Sequence, residues 1–182
     1  MRYIFCNPEN YRDYKERKVI VIYYLLKYVI WPEEQREKSK LIDESSVSQD
    51  ELFLRKLVDA TLFSDQLYIH LSHESDDQAG ELIYITPFNS EDLETYGNAV
   101  ESTINTISVV SSRVEYLLWN GASFQAPQQL FPSPTFKRDI AAYLLNHYLV
   151  FSNITYEVLF SIYDKAKDRV LLFLKEAESD EQ

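Results

Sequence analysis

The chain has little cysteine, little glycine and no long uninterrupted apolar run. Its single cysteine, Cys6, cannot form an internal disulfide, which fits a reducing compartment. Three glycines in 182 residues are few against a usual share of about 7%, which disfavours folds built on glycine-rich phosphate loops. The longest apolar stretch, residues 19–31, contains Lys27 and falls short of the roughly 20 residues that cross a bilayer. We therefore expect an intracellular protein, cytoplasmic or nuclear, without a signal peptide or transmembrane segment.

Basic residues are scarce in the middle of the chain. Residues 41–135 hold fifteen Asp and Glu but only Arg55, Lys56 and Arg113, and the whole chain has a net charge of -11. An acidic surface repels nucleic acid and anionic membranes and attracts basic partners. The sequence therefore predicts a protein partner with a basic surface and no direct binding to nucleic acid or membrane. The sequence is also compatible with a homo-oligomer.

The composition is that of a folded domain. Hydrophobic residues make up 46% of the chain and aromatic residues 14%, far from the composition of disordered proteins. At this length we expect a single globular domain over residues 1–182. The polar residues 178–182 are expected to form a frayed tail. No internal repeat or linker is evident from the sequence.

Apolar residues recur at three- and four-residue intervals over much of the chain, which predicts about five helices. The first two are expected at residues 11–31, ending before Pro32, and from a capping box at Ser48 and Glu51 to about residue 62. The third begins at Asn89 and runs to residue 119, and the last two cover residues 135–151 and 155–177. The β-branched residues at 19–22 and 103–110 are also consistent with strands.

Two short β-rich segments, residues 67–71 and 82–86, flank a polar loop that contains Gly80. This pattern predicts a hairpin with an acidic tip. The fold class we expect is therefore α+β and mostly α-helical, with one small antiparallel β-hairpin near residues 67–86. Trp31, Tyr23 and Tyr24 are expected in the core rather than at a contact surface.

The sequence carries no recognisable catalytic, metal or nucleotide motif. His70 and His73 have the spacing of a metal pair, but three-residue spacing on a strand directs side chains to opposite faces. We therefore assign no catalytic residue, no metal ligand and no cofactor. Whether the protein is an enzyme stays open, with the pattern favouring a non-enzymatic role.

The function that fits these observations is protein–protein interaction, as a complex subunit, adaptor or inhibitor with an acidic surface. The candidate partner-binding residues lie at the hairpin tip and at the start of the third helix: Glu74, Asp76, Asp77, Glu91, Asp92 and Glu94. One alternative is an acidic decoy, in which these carboxylates mimic phosphates and occupy a nucleic-acid site on a basic protein. The other alternative is an enzyme with an unrecognised site.

Overall fold

The computed structural model describes residues 22–31, 39–106 and 113–177. Within these ranges ten strands form one mixed sheet with three α-helices. The strands are β1 (Tyr23–Ile30), β2 (Lys40–Ser48), β3 (Ala60–Phe63), β4 (Gln66–Asp76), β5 (Gly80–Pro87), β6 (Val114–Trp119), β7 (Phe124–Gln125), β8 (Tyr148–Phe151), β9 (Ile154–Asp164) and β10 (Arg169–Glu176). The helices are α1 (Gln49–Leu57), α2 (Gly97–Thr106) and α3 (Lys137–Leu144), and a 3-10 helix covers Ser90–Leu93.

The strand order across the sheet is β2-β1-β5-β4-β3-β9-β10-β6-β7, and β8 pairs with β9 beside β3. The pairs β1–β5, β3–β9 and β6–β10 are parallel, and the other pairs are antiparallel. The sheet runs through both halves of the chain and provides the frame on which all other elements pack.

The predicted mostly helical fold with about five helices is wrong, because the sheet dominates the structure. Residues 155–177 form β9 and β10 instead of a helix. Strands buried on both faces contain continuous apolar runs, and such runs also satisfy a helical pattern. Residues 23–30 of the first predicted helix form β1, while residues 11–21 lie outside the described ranges, as does the predicted tail at 178–182.

The two helix starts that capping residues predict, at Ser48 and Asn89, are present, but the helices are short. The Ser48 side chain caps α1 by accepting a hydrogen bond from Glu51 N at 3.3 Å. Asn89 and Asp92 form a capping box at the 3-10 helix. Val58 then adopts an extended conformation, so α1 ends at Leu57 rather than near residue 62. The predicted helix over 90–119 is replaced by the 3-10 helix, α2 and β6.

The predicted hairpin is confirmed in β4 and β5, which pair antiparallel from Tyr68–Pro87 to Asp76–Gly80. The strands extend further than expected, since residues 72–76 continue β4 rather than form a loop. The hairpin is also no isolated unit, because β1 and β3 flank it within the large sheet.

The two halves of the chain repeat the same order of elements, so the expectation of no internal repeat is wrong. The first half runs β1-β2-α1-β3-β4-β5 and the second runs β6-β7-α3-β8-β9-β10. The pairings also correspond, since β1 is parallel to β5 as β6 is to β10. In each half the long strand, β4 or β9, pairs antiparallel with the two strands that flank it in sequence.

The sequence carries traces of this repeat at a spacing of 88 positions. The segment Tyr28-Val29-Ile30-Trp31 corresponds to Tyr116-Leu117-Leu118-Trp119 at the same places in β1 and β6. Four further identities at that spacing are Phe63 with Phe151, Ser64 with Ser152, Tyr68 with Tyr156, and Asp76 with Asp164. Both serines have positive φ, at 55° and 52°, in the turn before the long strand.

Irregular features of the backbone repeat as well. The pairing register shifts at Leu71 in β4 and at the equivalent Leu159 in β9, which places a bulge at the same point of each half. A backbone hydrogen bond of 2.8 Å recurs next to each bulge, from His70 N to Asp59 O and from Val158 N to His147 O. Bulges are specific features of a fold, so their coincidence indicates one structural unit present twice.

The two repeats are arranged about an approximate two-fold axis. Since β3 is antiparallel to β4 and parallel to β9, the equivalent strands β4 and β9 run in opposite directions. Helices α1 and α3 lie together on one face of the sheet and share a core cluster around Ile140 and Leu54. Helix α2 covers the other face over the second repeat, where Val100 packs on β6, β9 and β10.

The parallel pairing of β1 with β5 predicts a strong effect of substituting Gly80. This residue has φ +91°, and a Cβ there would lie 2.7 Å from the Leu25 carbonyl oxygen. Gly121 has φ +98° but no atom within 4 Å of such a Cβ, so it is a matched control for backbone strain. We expect both Gly80→Ala and Gly121→Ala to lower the free energy of unfolding, measured by urea unfolding. The loss in Gly80→Ala should be larger by about 1–3 kcal/mol, because only there does the new Cβ collide with another strand. Equal losses would contradict the close approach of β1 to β5.

Candidate interaction surface

The six predicted partner-binding residues are exposed, but they form two separate groups. Glu74 and Asp76 end β4 and Asp77 begins the turn, which together form the hairpin tip. Glu91, Asp92 and Glu94 lie in and just after the 3-10 helix. Strand β5 separates the two groups and spans roughly 23 Å at about 3.3 Å per residue. The structure therefore does not bring the six carboxylates into one site.

Asp76 has a structural role at the hairpin tip. Its Oδ1 accepts hydrogen bonds from Ala79 N at 2.5 Å and Gln78 N at 2.8 Å, and these donors lower the pKa of the carboxyl group. The equivalent Asp164 accepts from Lys167 N at 3.2 Å in the second repeat. This residue thus closes the turn after each long strand, independently of any partner.

The acidic tip adjoins an aromatic surface on one face of the first repeat. The Tyr84 hydroxyl donates to Glu74 Oε2 at 2.9 Å, and this bond raises the pKa of Tyr84. The rings of Tyr84 and Trp31 meet edge to face, with centroids 5.0 Å apart. We call the surface formed by Trp31, Tyr84, Glu74, Asp76 and Asp77 the acidic–aromatic face.

Trp31 and Tyr23 do not lie in the core, contrary to expectation. Trp31 is 52% exposed and Tyr23 is 38% exposed, and Leu41 on the adjacent strand is 52% exposed. Alternation along β1 directs Tyr23 and Trp31 away from α1, whereas Tyr24 points toward it and packs on the core. The prediction for Tyr24 alone is therefore confirmed. Large apolar groups thus remain exposed on the sheet face that carries the acidic tip.

The equivalent face of the second repeat is covered. Val29, Leu82 and Tyr84 correspond to Leu117, Leu171 and Phe173, which are at most 3% exposed beneath α2. In the part of the chain that the structure describes, no helix covers Leu82 and Tyr84 in the same way. Sequence reasoning missed this surface, because the recurrence of Trp31 as Trp119 indicates the repeat but not which of the two residues is covered.

The histidines His70 and His73 lie on the same face of β4, so the prediction of opposite faces is wrong. The bulge at Leu71 adds one residue to β4, so the side chains of His70 and His73 point to the same face of the sheet. His70 Nε2 lies 2.8 Å from Thr61 Oγ1, and His73 Nε2 lies 2.9 Å from the Lys56 carbonyl oxygen. Among the described residues no group of three or more His, Cys, Asp or Glu could hold a metal ion.

A cleft of about 430 Å³ lies between α1 and α3, on the face of the sheet opposite the acidic–aromatic face. Its walls are apolar and its rim is charged. The lining residues are Asp50, Phe53, Lys56 and Leu57 from α1, His73 from β4, and Arg138, Ala141, Ala142 and Leu145 from α3 and its C-terminal end.

Comparison with known proteins identifies no relative. No protein-family model matches the chain, and neither curated proteins nor solved structures give a match. The described helices are all too short or too polar to cross a membrane.

The environment of His70 predicts a pH dependence of stability. Burial lowers its pKa to about 3, against about 6.5 in an unfolded chain. Below pH 6.5 the imidazole takes up a proton in the unfolded state but stays neutral in the folded state. The contribution of His70 to the free energy of unfolding is therefore complete above pH 6.5 and is lost as the pH falls toward 3. We expect this residue to lower the free energy of unfolding by about 2 kcal/mol between pH 7.5 and pH 5 in urea unfolding.

The variant His70→Gln should lose this part of the pH dependence whatever its effect on stability at neutral pH. His147→Gln, which changes an exposed histidine, is the control and should keep the wild-type slope. An unchanged slope in His70→Gln would show that His70 can be protonated in the folded protein.

Proposed function

We propose that the protein is a non-enzymatic interaction protein that binds a basic protein partner through the acidic–aromatic face. The observation that carries this proposal is the contact of the exposed Trp31 ring with the partly exposed Tyr84, directly beside the carboxylates of the hairpin tip. Exposed tryptophan and tyrosine are typical centres of protein interfaces, where they contribute large contact areas.

The chemistry of this face supports a partner that carries arginine. Carboxylates around an aromatic centre favour arginine, which pairs with acidic groups and also stacks on aromatic rings. Lys27 lies 3.6 Å from Glu44 on the same face and leaves the surrounding surface predominantly acidic. The partner should therefore present arginine together with apolar side chains, and its association should be accelerated by charge.

The position of the second acidic group favours an interface at the tip over a decoy that mimics nucleic acid. A decoy needs a continuous row of negative charges with the spacing of a phosphate backbone. Between the two groups, β5 presents Leu82, Tyr84 and Thr86 on this face rather than carboxylates. The hairpin tip is accordingly the part of the prediction that we retain as the contact site, and Glu91, Asp92 and Glu94 form a separate surface.

Charge reversal at the tip tests this proposal. Glu74→Lys with Asp77→Lys changes the charge by four units while keeping Asp76, which closes the turn. We expect this variant to bind the partner at least about tenfold more weakly, because two attractive contacts become repulsive. The partner is first captured from native lysate at low salt, identified by mass spectrometry, and its affinity is then measured at low and high salt.

Two charge-matched variants complete the test. Glu91→Lys with Glu94→Lys changes the second acidic group, and Asp65→Lys with Glu101→Lys changes exposed acids elsewhere. Both should retain near wild-type affinity, whereas Trp31→Ala should weaken binding without changing its salt dependence. Binding that survives the tip reversal, or falls equally in all three charge variants, would exclude the acidic–aromatic face as the interface.

A further inference from the structure

The two junctions that the repeat places between the long strands are not alike. At the first junction β3 lies beside β9, with residues 60–62 in register with residues 162–164. The equivalent positions on β4 are residues 74–76, at the hairpin tip, and the strand equivalent to β3 is β8. Within the described ranges, however, β8 pairs only with β9, and no strand pairs with residues 74–76 on the side away from β5.

The residues that fix the first junction are replaced at the second. The Asp59 carboxylate, at the start of β3, accepts hydrogen bonds from Ser161 N at 2.8 Å and Ser161 Oγ at 2.7 Å. The equivalent residues are His147 and His73, and His73 Nε2 instead lies 2.9 Å from the Lys56 carbonyl oxygen. The second junction therefore lacks the hydrogen bonds that hold β3 against β9.

Both sides of the second junction are exposed. Residues 160–164 of β9 are buried, whereas the equivalent residues 72–76 of β4 are all exposed. In β8, Tyr148 and Val150 are 57% and 64% exposed, while their counterparts in β3, Ala60 and Leu62, are 0% and 7% exposed. The edge of β4 at the hairpin tip is thus accessible, and an accessible strand edge presents N–H and C=O groups to which a further strand can pair.

We propose that the partner binds by adding an extended segment to this edge of β4, parallel to β4 and beside residues 74–76. The template is β3, which takes the equivalent place beside β9. In this binding mode main-chain hydrogen bonds supply affinity and alternate side chains supply specificity. The inference rests on the proposed function, because it gives the binding mode at the hairpin tip of the acidic–aromatic face.

The two faces of the sheet define the side chains of the added segment. Ala60 and Leu62 of the template belong to the core beneath α2, and alternation directs the residue between them to the face that carries α1 and α3. In the same placement, the first and third residues of the segment lie beside Glu74 and Asp76, which favour basic side chains. The second residue points toward the helices, where His73 and apolar side chains line the cleft. The segment is therefore basic–apolar–basic.

A synthetic peptide of this pattern tests the proposal on the full chain. The parent peptide is threonine–valine–arginine–leucine–arginine–valine–threonine, with blocked ends, and its binding is measured by fluorescence anisotropy at low salt. A control of the same composition exchanges the fourth and fifth residues, which puts the arginines on opposite faces. We expect one parent peptide per chain and binding of the control about tenfold weaker, because its leucine no longer faces the cleft. Equal affinities would overturn the proposed placement, as would a parent peptide that does not bind.

Backbone methylation separates strand addition from binding by side chains alone. Successive amides of an added strand point alternately toward β4 and away from it. One peptide is N-methylated at its second and fourth residues and another at its third and fifth. One of the two should lose binding, and the other should retain it. Equal affinities of the two would overturn strand addition. If Glu74→Lys with Asp77→Lys still weakened the parent peptide, the acidic–aromatic face would remain the interface.

Hydrogen exchange followed by NMR provides a second readout. The amides of residues 72–76 that face the open edge should exchange rapidly in the free protein and slowly with the parent peptide bound. Slow exchange without peptide would overturn the proposal, because the edge would then already be paired. Parent-peptide binding that is unchanged in Glu74→Lys with Asp77→Lys would contradict the proposed function as well.

Discussion

The pairing of β3 with β9 holds the two repeats in one sheet. Only Ala60, Thr61 and Leu62 of β3 are in register with β9, and the contact is reinforced at its end. The Asp59 carboxylate accepts hydrogen bonds from Ser161 N at 2.8 Å and Ser161 Oγ at 2.7 Å. On the helical face Arg55 lies over the Tyr163 ring at 4.7 Å, which ties α1 to the second repeat. The position of α1 against α3, and hence the cleft between them, depends on this junction.

The two repeats use the same frame for different purposes. In the second repeat, α2 buries Leu117, Leu171 and Phe173, and that half of the sheet is closed on both faces. In the first repeat Trp31, the counterpart of the partly buried Trp119, is exposed, and Tyr84, the counterpart of Phe173, is partly exposed. Burial of apolar surface stabilises a fold, and the apolar groups left accessible on the first repeat are the ones for which we propose contact with a partner. The two repeats therefore differ in how far this face of the sheet is buried, and our proposal places partner binding on the more accessible one.

Local signals in the sequence predict the structure correctly, whereas features that depend on long-range contacts are not predicted. The caps at Ser48 and Asn89 and the hairpin around Gly80 depend on neighbouring residues, and each is present. The apolar run from Val170 to Leu174 predicts a helix, because burial on both faces of the sheet removes the alternation that marks a strand. Similarly, the direction of His73 could not be inferred from spacing, since the bulge at Leu71 arises from pairing with β5.

The sequence by itself determined the acidic charge, the exposed carboxylates of the hairpin tip and the starts of the first helices, because these follow from composition and local hydrogen bonding. It also contained the repeat, in the recurrence of Tyr28 and Trp31 as Tyr116 and Trp119. Only the tertiary structure decided which of these equivalent residues are covered and which acidic groups lie together. Both depend on strand pairing and helix packing between residues far apart in the chain, and no local pattern encodes those contacts.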